Sequence, residues 1–171
     1  DHAAGIPYII SQKAMNNHPA PNFYMPKSLV EPLTQIMRLW EKIEDHQYKF
    51  NFIGLEAGEL IEIKPNIVAR PFTTVRRVPS FGYSIFRKVK KLKSEYAGFN
   101  QHQIVDLRRQ GIDPTDHFEE RLASFTGDTQ IEFLDLNPEV AASKILFLEA
   151  TYLDDRKSVA SPKEWGHTHL D

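Results

Sequence analysis

The stretch that decides the fold is residues 50–89, FNFIGLEAGELIEIKPNIVARPFTTVRRVPSFGYSIFRKV. Its apolar residues come in short runs, a pattern typical of strands joined by turns and not of a helix. The turn-forming residues that punctuate these runs are Gly54, Gly58, Pro65 and Pro71. We therefore predict a strand meander over residues 50–78, followed by one more strand over Phe81–Val89.

Helices and further strands flank this meander. The predicted helices cover Ala3–Met15, a segment beginning at Ser28, Gln103–Gln110, and Pro138–Ser143. The other predicted strands cover Asn22–Met25, Leu122–Phe125, Ile131–Leu136 and Ile145–Tyr152. We expect the first helix to be buried, Ser28 to cap the second through a capping box with Glu31, and Asn137 to cap the last. Strands in runs with interspersed helices indicate a mixed α/β domain.

Composition narrows the class of protein. The 171 residues carry a net charge of −2, so no global positive field recruits nucleic acid. The sequence has no cysteine, which excludes disulfides and thiolate metal sites and fits a reducing compartment. No apolar run is long enough to span a bilayer and no signal peptide opens the chain, so we expect a cytoplasmic protein without membrane contact.

Three clusters of acids and histidines could carry chemistry. Asp1–His2 opens the chain, Asp128 follows a predicted strand within Phe125–Thr129, and His167 and His169 lie near the end. Carboxylates and imidazoles are the ligands that a zinc-class ion accepts where thiolates are absent. Two neighbouring metal ions need a bridging carboxylate, a role that an aspartate at the end of a strand can fill.

Each cluster alone has a simpler interpretation. An Asp–His pair at a chain start is more often a solvated terminus, and Gly-Asp-Thr after a strand is more often a turn. Two histidines near a C-terminus are usually surface residues. Only the order and spacing of all the clusters together favour a metal site.

That combination resembles the metallo-β-lactamase fold, and within it the ribonuclease Z branch. Asp1–Pro7 is similar to the second half of the family's His-x-His-x-Asp-His signature, and Gly127–Thr129 to its Gly-Asp-Thr box. Leu148–Thr151 is similar to its His-Glu-Ala-Thr box, and Gly166–Thr168 to its Gly-His-Ser/Thr box. The resemblance implies one metallo-β-lactamase-like domain over 1–171, part of a four-layer αββα sandwich truncated at both ends.

The resemblance also implies residue roles. Asp1 and His2 would bind one metal ion, with Asp1 orienting the attacking water, and Asp128 would bridge two ions. His167, oriented by Glu149, would protonate the leaving oxygen. The implied cofactor is Zn²⁺, two per intact active site, or another divalent metal. His169 matches no family position, and both a supporting role behind the site and a surface position stay open.

Arg76 departs from the family pattern. Residues 77–83, RVPSFGY, fit a family segment that follows a metal-binding histidine, but Arg76 stands at the histidine's place. A guanidinium is always protonated and has no lone pair to give a metal ion. Either one metal site is altered here, or Arg76 contacts a phosphate, which its forked donors suit.

A basic run lies between Arg76 and Asp128, in the interval where ribonuclease Z proteins hold an arm that grips tRNA. Its candidate substrate-binding lysines are Lys90, Lys91 and Lys93. One interpretation is the end of a strand with a solvated charged face. The other is a local patch for a phosphate backbone.

The family likeness implies a metal-dependent phosphodiesterase that acts on RNA, as in tRNA 3′ processing. Another hydrolase of a small ester or phosphodiester on the same fold is one alternative, because fold does not fix function. A metal-poor, catalytically inactive binding module, suggested by Arg76, is the other. The expected partners are a tRNA precursor or a small phosphodiester, and the sequence allows a homodimer.

Overall fold

Two β-sheets organise the protein in a computed structural model that describes residues 3–152 and 166–169. In the smaller sheet, β1 (Asn22–Pro26) and β2 (Asn51–Leu55) pair in parallel, and α2 (Lys27–Glu44) connects them. The larger sheet has the order β3-β4-β5-β6-β7, and only its last pair is parallel. Its strands are β3 (Ile61–Lys64), β4 (Ile67–Thr73), β5 (Phe81–Leu92), β6 (Thr115–Phe125) and β7 (Ile145–Phe147). The α/β class is confirmed. The predicted meander holds for β3, β4 and β5, but β2, at the start of the predicted stretch, pairs with β1 in the smaller sheet.

Three other α-helices accompany the sheets in the described part of the chain. These are α1 (Ile6–Met15), α3 (Gln101–Arg109) and the single turn α4 (Phe133–Leu136). Short 3-10 helices cover Ser94–Tyr96 and Pro138–Ala142. Within residues 3–152 and 166–169, no helix combines the length and the apolar character that crossing a membrane requires.

The core lies against both faces of the larger sheet. One cluster joins Leu55, Ile61 and Ala69 and brings the smaller sheet against β3 and β4. The other joins Phe72, Phe133 and Val140, so that α4 and the 3-10 turn after it pack on β4. Because adjacent residues of β4 point to opposite faces, Ala69 and Phe72 belong to different clusters.

The β5–β6 hairpin runs past the rest of the sheet. β4 pairs with β5 only as far as Arg87, whereas β5 and β6 remain paired out to Leu92 and Thr115. Beyond Arg87 the hairpin is thus a two-stranded arm, and α3 lies in the connection at its tip. At about 3.3 Å per strand residue, Lys90 is roughly 30 Å along β5 from Phe81.

Three predictions about helices are wrong: the caps at Ser28 and Asn137, and the burial of α1. The Asn137 side chain makes no cap hydrogen bond to the 3-10 helix Pro138–Ala142, and its Nδ2 donates instead to the Thr73 carbonyl at 2.9 Å. α2 begins at Lys27 directly after Pro26, and neither Ser28 nor Glu31 forms a cap, because Ser28 already lies in the first turn. The capping box occurs instead in α3, where Asn100 and Gln103 bond each other's backbone N–H groups. α1 is also less buried than expected, since only Pro7 and Ile10 are enclosed.

Three strand predictions need correction. Ile131–Leu136 is not a strand: its apolar run forms α4, and Phe133 is fully buried there. β6 begins at Thr115, well before Leu122, and β7 ends at Phe147, well before Tyr152. Short apolar runs do not distinguish a buried strand from a helical turn, so spacing alone could not settle these cases.

Candidate active site

Three loops at one end of the β5–β6 hairpin form the candidate site. The first follows β6 at Thr126, the second follows β7 at Leu148, and the third is Gly166–His169. The Thr126 N–H donates to the Phe147 carbonyl, and the Glu149 N–H donates to Thr126 Oγ1 at 3.2 Å. These two hydrogen bonds extend the contact between β6 and β7 beyond the ends of the strands. They set the position of Glu149 relative to the loop that follows β6.

Buried threonines join the other segments, and the sequence interpretation missed them. Thr129 and Thr168 are both fully buried. Thr168 Oγ1 donates to the Thr129 carbonyl at 2.6 Å, and Thr129 Oγ1 accepts from the Val75 N–H at 3.0 Å. The threonines next to Asp128 and His167 were visible in the sequence, but only their burial shows that they hold the loops together.

Glu149 and His167 lie within hydrogen-bonding distance, as predicted. His167 Nδ1 is 3.2 Å from Glu149 Oε1. Three further donors reach the same carboxylate: the N–H groups of Thr168 and Thr151, and the Thr151 hydroxyl. With Nδ1 held by Glu149, the other ring nitrogen, Nε2, points away from this carboxylate and can present a proton elsewhere.

The surroundings of Glu149 favour its charged form. Burial raises the pKa of the carboxyl, but the hydrogen bonds from Thr151, Thr168 and His167 outweigh it, so that the pKa lies below its usual value. Glu149 is therefore ionised at neutral pH and accepts a hydrogen bond from the N–H group at His167 Nδ1. Its part in the cleft is to orient the imidazole.

Asp128 meets two basic side chains. Gly127 has a φ of +61°, a backbone conformation that favours glycine, and it turns the chain so that Asp128 faces Arg76. Arg76 Nη1 is 3.1 Å from Asp128 Oδ2, and His167 Nδ1 is 4.0 Å from the same oxygen. The three side chains are mostly buried, at 17% exposure for Arg76, 19% for Asp128 and 24% for His167.

An open cavity of about 1090 Å³ adjoins this cluster. Its walls come from β1, α2 and β3–β5 and are largely apolar, with Leu33, Ile61 and Phe81 among them. Arg76 and His167 are also lining residues, so the cluster borders the cavity. A large apolar space beside a few converging polar groups is the usual form of a ligand site.

The lysines predicted to bind the substrate lie away from this cluster. Asp1 and His2 fall outside the described residues. Lys90 and Lys91 lie on the arm far from Asp128, and Lys93 follows β5. His169 is only 6% exposed, and its ring stacks at 6.1 Å on that of Tyr152, so its interpretation as a surface residue is wrong.

A two-metal site does not fit the described residues. Residues 3–152 and 166–169 contain no group of three or more His, Cys, Asp or Glu side chains that could hold a metal ion. The carboxylate predicted to bridge two ions, Asp128, instead forms a salt bridge with Arg76. A guanidinium at that distance occupies the space and supplies the positive charge that an ion would bring.

Comparisons of sequence identify relatives. The chain is 30% identical over 172 residues to "tRNase Z TRZ1" of Arabidopsis thaliana, covering 99% of this chain and 61% of that protein. It is 31% identical over 172 residues to "tRNase Z TRZ2, chloroplastic" of the same plant, covering 99% and 49%. The chain thus spans 49–61% of the length of these curated relatives. No protein-family model matches it.

Comparisons of structure agree on the fold. The metallo-β-lactamase fold protein YhfI from Bacillus subtilis superimposes with a TM-score of 0.57 at 11% identity, covering 99% of this chain and 52% of that one. The short form of human tRNase Z superimposes with a TM-score of 0.55 at 14% identity, covering 97% and 59%. These likenesses confirm the predicted metallo-β-lactamase fold.

Proposed function

Because this chain has the metallo-β-lactamase fold and its curated relatives are tRNase Z proteins, we propose that it forms part of a metal-dependent endoribonuclease acting on tRNA precursors. The observation that supports this most is the hydrogen bond between His167 and Glu149 beside the cavity. Hydrolysis of an RNA phosphodiester needs an acid at the leaving oxygen, and a histidine oriented by a carboxylate is a common one.

The proposed proton transfer uses His167. Water adds its oxygen to phosphorus and releases one of its protons to solvent, the bond from phosphorus to the 3′ oxygen breaks, and that oxygen takes the proton from His167 Nε2. Glu149 keeps the ring oriented through Nδ1 at 3.2 Å throughout. The products are a free 3′ hydroxyl and a phosphate on the released fragment.

The metallo-β-lactamase fold suggests the use of a divalent metal ion. We propose Zn²⁺, because the candidate ligands Asp1, His2 and Asp128 are carboxylates and an imidazole. When bound, such a cation supplies hydroxide near neutral pH and stabilises negative charge at phosphorus. Asp128 is the one of these ligands that the structure describes.

The first experiment compares cleavage of a tRNA precursor with that of bis-p-nitrophenyl phosphate by the full-length protein. Activity on both supports the proposal, and activity on the small diester alone favours another hydrolase of the same fold. We expect His167→Ala to slow cleavage of the RNA by roughly 10²-fold or more, the usual scale for loss of a general acid.

His18→Ala, in the exposed loop after α1, is the matched control and should leave the rate unchanged. An unchanged rate for His167→Ala on RNA would remove this histidine from the mechanism. The nitrophenyl substrate is not used for this variant, because its leaving group hardly needs a proton.

One observation favours a second candidate function. The salt bridge between Arg76 and Asp128 is what a metal-poor, catalytically inactive binding module would have. Binding of the tRNA precursor without any cleavage, by a protein that retains no metal after dialysis, would support this candidate.

We propose that the partner is a tRNA precursor bound through the arm, and that the location is cytoplasmic. Lys90 and Lys91 are exposed on the arm, which suits a contact with a phosphate backbone. The Lys91 ammonium group also lies 5.8 Å from the ring centre of Phe118. Arg87 and Lys88 are less available, because they pair with Glu120 and Glu62. A cytoplasmic location rests on the absence of cysteine.

We also propose a homodimer through α2. Ile36, Leu39 and Ile43 recur at helical spacing on one face of this helix, and their exposures are 49%, 60% and 75%. A twofold axis would set the same apolar face of one copy against that of the other.

A further inference from the structure

The starting point is how firmly Arg76 is held at Asp128. The Val75 N–H donates to Thr129 Oγ1 at 3.0 Å, and the Val75 carbonyl accepts from the Gln130 N–H at 3.1 Å. The residue before Arg76 is therefore bonded to the same loop that carries Asp128. These backbone contacts restrain the position of Arg76, whereas a long side chain on the surface has no such restraint.

A second contact holds Arg76 from the other side. Gly166 has a φ of +76°, and a Cβ atom at this position would lie 3.4 Å from Arg76 Cα and 3.5 Å from its Cγ. The backbone of the third loop thus packs directly against Arg76. The side chain is 17% exposed and lies between the loops that carry Asp128 and His167.

The charges at this point of the cleft are already paired. Glu149 accepts from Thr151, Thr168 and His167, and Asp128 accepts the guanidinium of Arg76 at 3.1 Å. A guanidinium cannot lose its proton in a protein, so this positive charge is permanent. A divalent cation placed on the same carboxylate would face it at short range with little solvent between them.

We propose that the guanidinium of Arg76 is a built-in cation at Asp128 and excludes a second divalent ion from this carboxylate. The site then holds at most one metal ion per chain. The proposal goes beyond the proposed function, because it concerns the charge that Asp128 accepts and not the substrate. It uses the same cleft, and its test measures metal content, not cleavage.

The experiment is elemental analysis of the full-length protein after chelation, reloading with Zn²⁺ and dialysis. We expect at most one zinc per wild-type chain and a gain of about one in Arg76→His, which removes the charge and adds an imidazole ligand. Arg77→His, one residue away on an exposed position, controls for an added imidazole and should stay at the wild-type value. Arg76→Lys keeps a positive charge and should also stay there.

Charge and ligand number are then separated with Arg76→Gln, which is neutral and nearly as long. Competition with a chelating dye should show Zn²⁺ bound about tenfold more tightly than by wild type, the scale of removing one unit charge a few ångströms away. A thermal unfolding profile shows whether Arg76→His folds. If it does not, Arg76→Gln tests the proposal in its place.

Two results would overturn the proposal. One is a wild-type protein that already retains two zinc ions per chain, and the other is a folded Arg76→Gln protein that binds zinc no more tightly than wild type. Cleavage of the tRNA precursor is assayed on the same samples. If the wild-type protein shows the expected zinc content but does not cleave the precursor, the proposed function is rejected and this inference stands.

Discussion

At the scale of single residues, the candidate site depends on one carboxylate that accepts several hydrogen bonds. Glu149 receives the Thr168 N–H at 2.9 Å and the Thr151 N–H at 2.8 Å, so it ties the loop after β7 to the segment that carries His167. A partly buried carboxylate that accepts several N–H groups stabilises the fold while it is ionised. Its charge should therefore govern how the cleft responds to acid.

This leads to a pH prediction for Glu149→Gln. Because the pKa of Glu149 is lower in the folded than in the unfolded protein, its contribution to stability is present above the unfolded value of 4.5. It is lost as the pH falls through the native pKa. The difference in free energy of unfolding between wild type and Glu149→Gln should thus be constant above pH 5 or so and shrink on further acidification.

The measurement is urea unfolding of both proteins across this pH range. Glu139→Gln, an exposed carboxylate whose side chain is 58% accessible, is the control for removing a surface charge. A difference that grows on acidification would mean that Glu149 is not held in its ionised form.

At the scale of elements, the pairing of β4 with β5 sets the position of the Arg76 segment. Phe72 pairs with Gly82, and a Cβ atom on Gly82 would lie 2.2 Å from the Phe72 ring. The ring therefore lies over the glycine, where it also stacks at 6.0 Å on Phe133. Only glycine allows this approach, so Gly82 connects the core to the turn that holds Arg76.

We predict that Gly82→Ala destabilises the protein by about 1–3 kcal/mol, the usual cost of overpacking a core. Gly98→Ala is the matched control, because nothing lies within 4 Å of a Cβ atom there. Urea denaturation measures both. Equal stability of the two variants would show that the Phe72 ring moves aside without cost.

The elements also show what the sequence could and could not predict. The meander was recognisable because glycine and proline separate its apolar runs, and the loop of Asp128 because Gly127 follows a strand. The first half of β6, Thr115–Glu120, was missed because most of its residues are exposed and show no apolar alternation. Its pairing with the basic half of β5 comes from cross-strand partners such as Arg87 and Glu120, which no local pattern reveals.

Of the two main contacts in the site, the sequence predicted one and missed the other. The nearness of Glu149 and His167 followed from the family likeness of two short boxes. The contact between Arg76 and Asp128 did not, because it depends on β4 and β6 lying on either side of β5. Long-range placement of this kind is a property of the folded sheet and not of residue spacing.

At the scale of the whole molecule, α2 carries an apolar face that the described chain leaves exposed. Its inner side packs through Met37, which is 1% exposed, whereas Ile36, Leu39 and Ile43 face outward. Burying a side chain of this kind contributes roughly 1.5–3 kcal/mol. In a twofold dimer each of these residues is buried once in each copy, so its contribution enters twice. We therefore infer that a second copy of the protein covers this face.

We predict that the full-length protein is a dimer and that Leu39→Asp converts it to a monomer. A carboxylate at the centre of the apolar face would be buried without a partner and so oppose association. Light scattering after size-exclusion chromatography measures the mass, with Gln35→Asp, on an exposed position of the same helix, as the control for added charge. A wild-type protein that is monomeric at all concentrations would contradict the dimer.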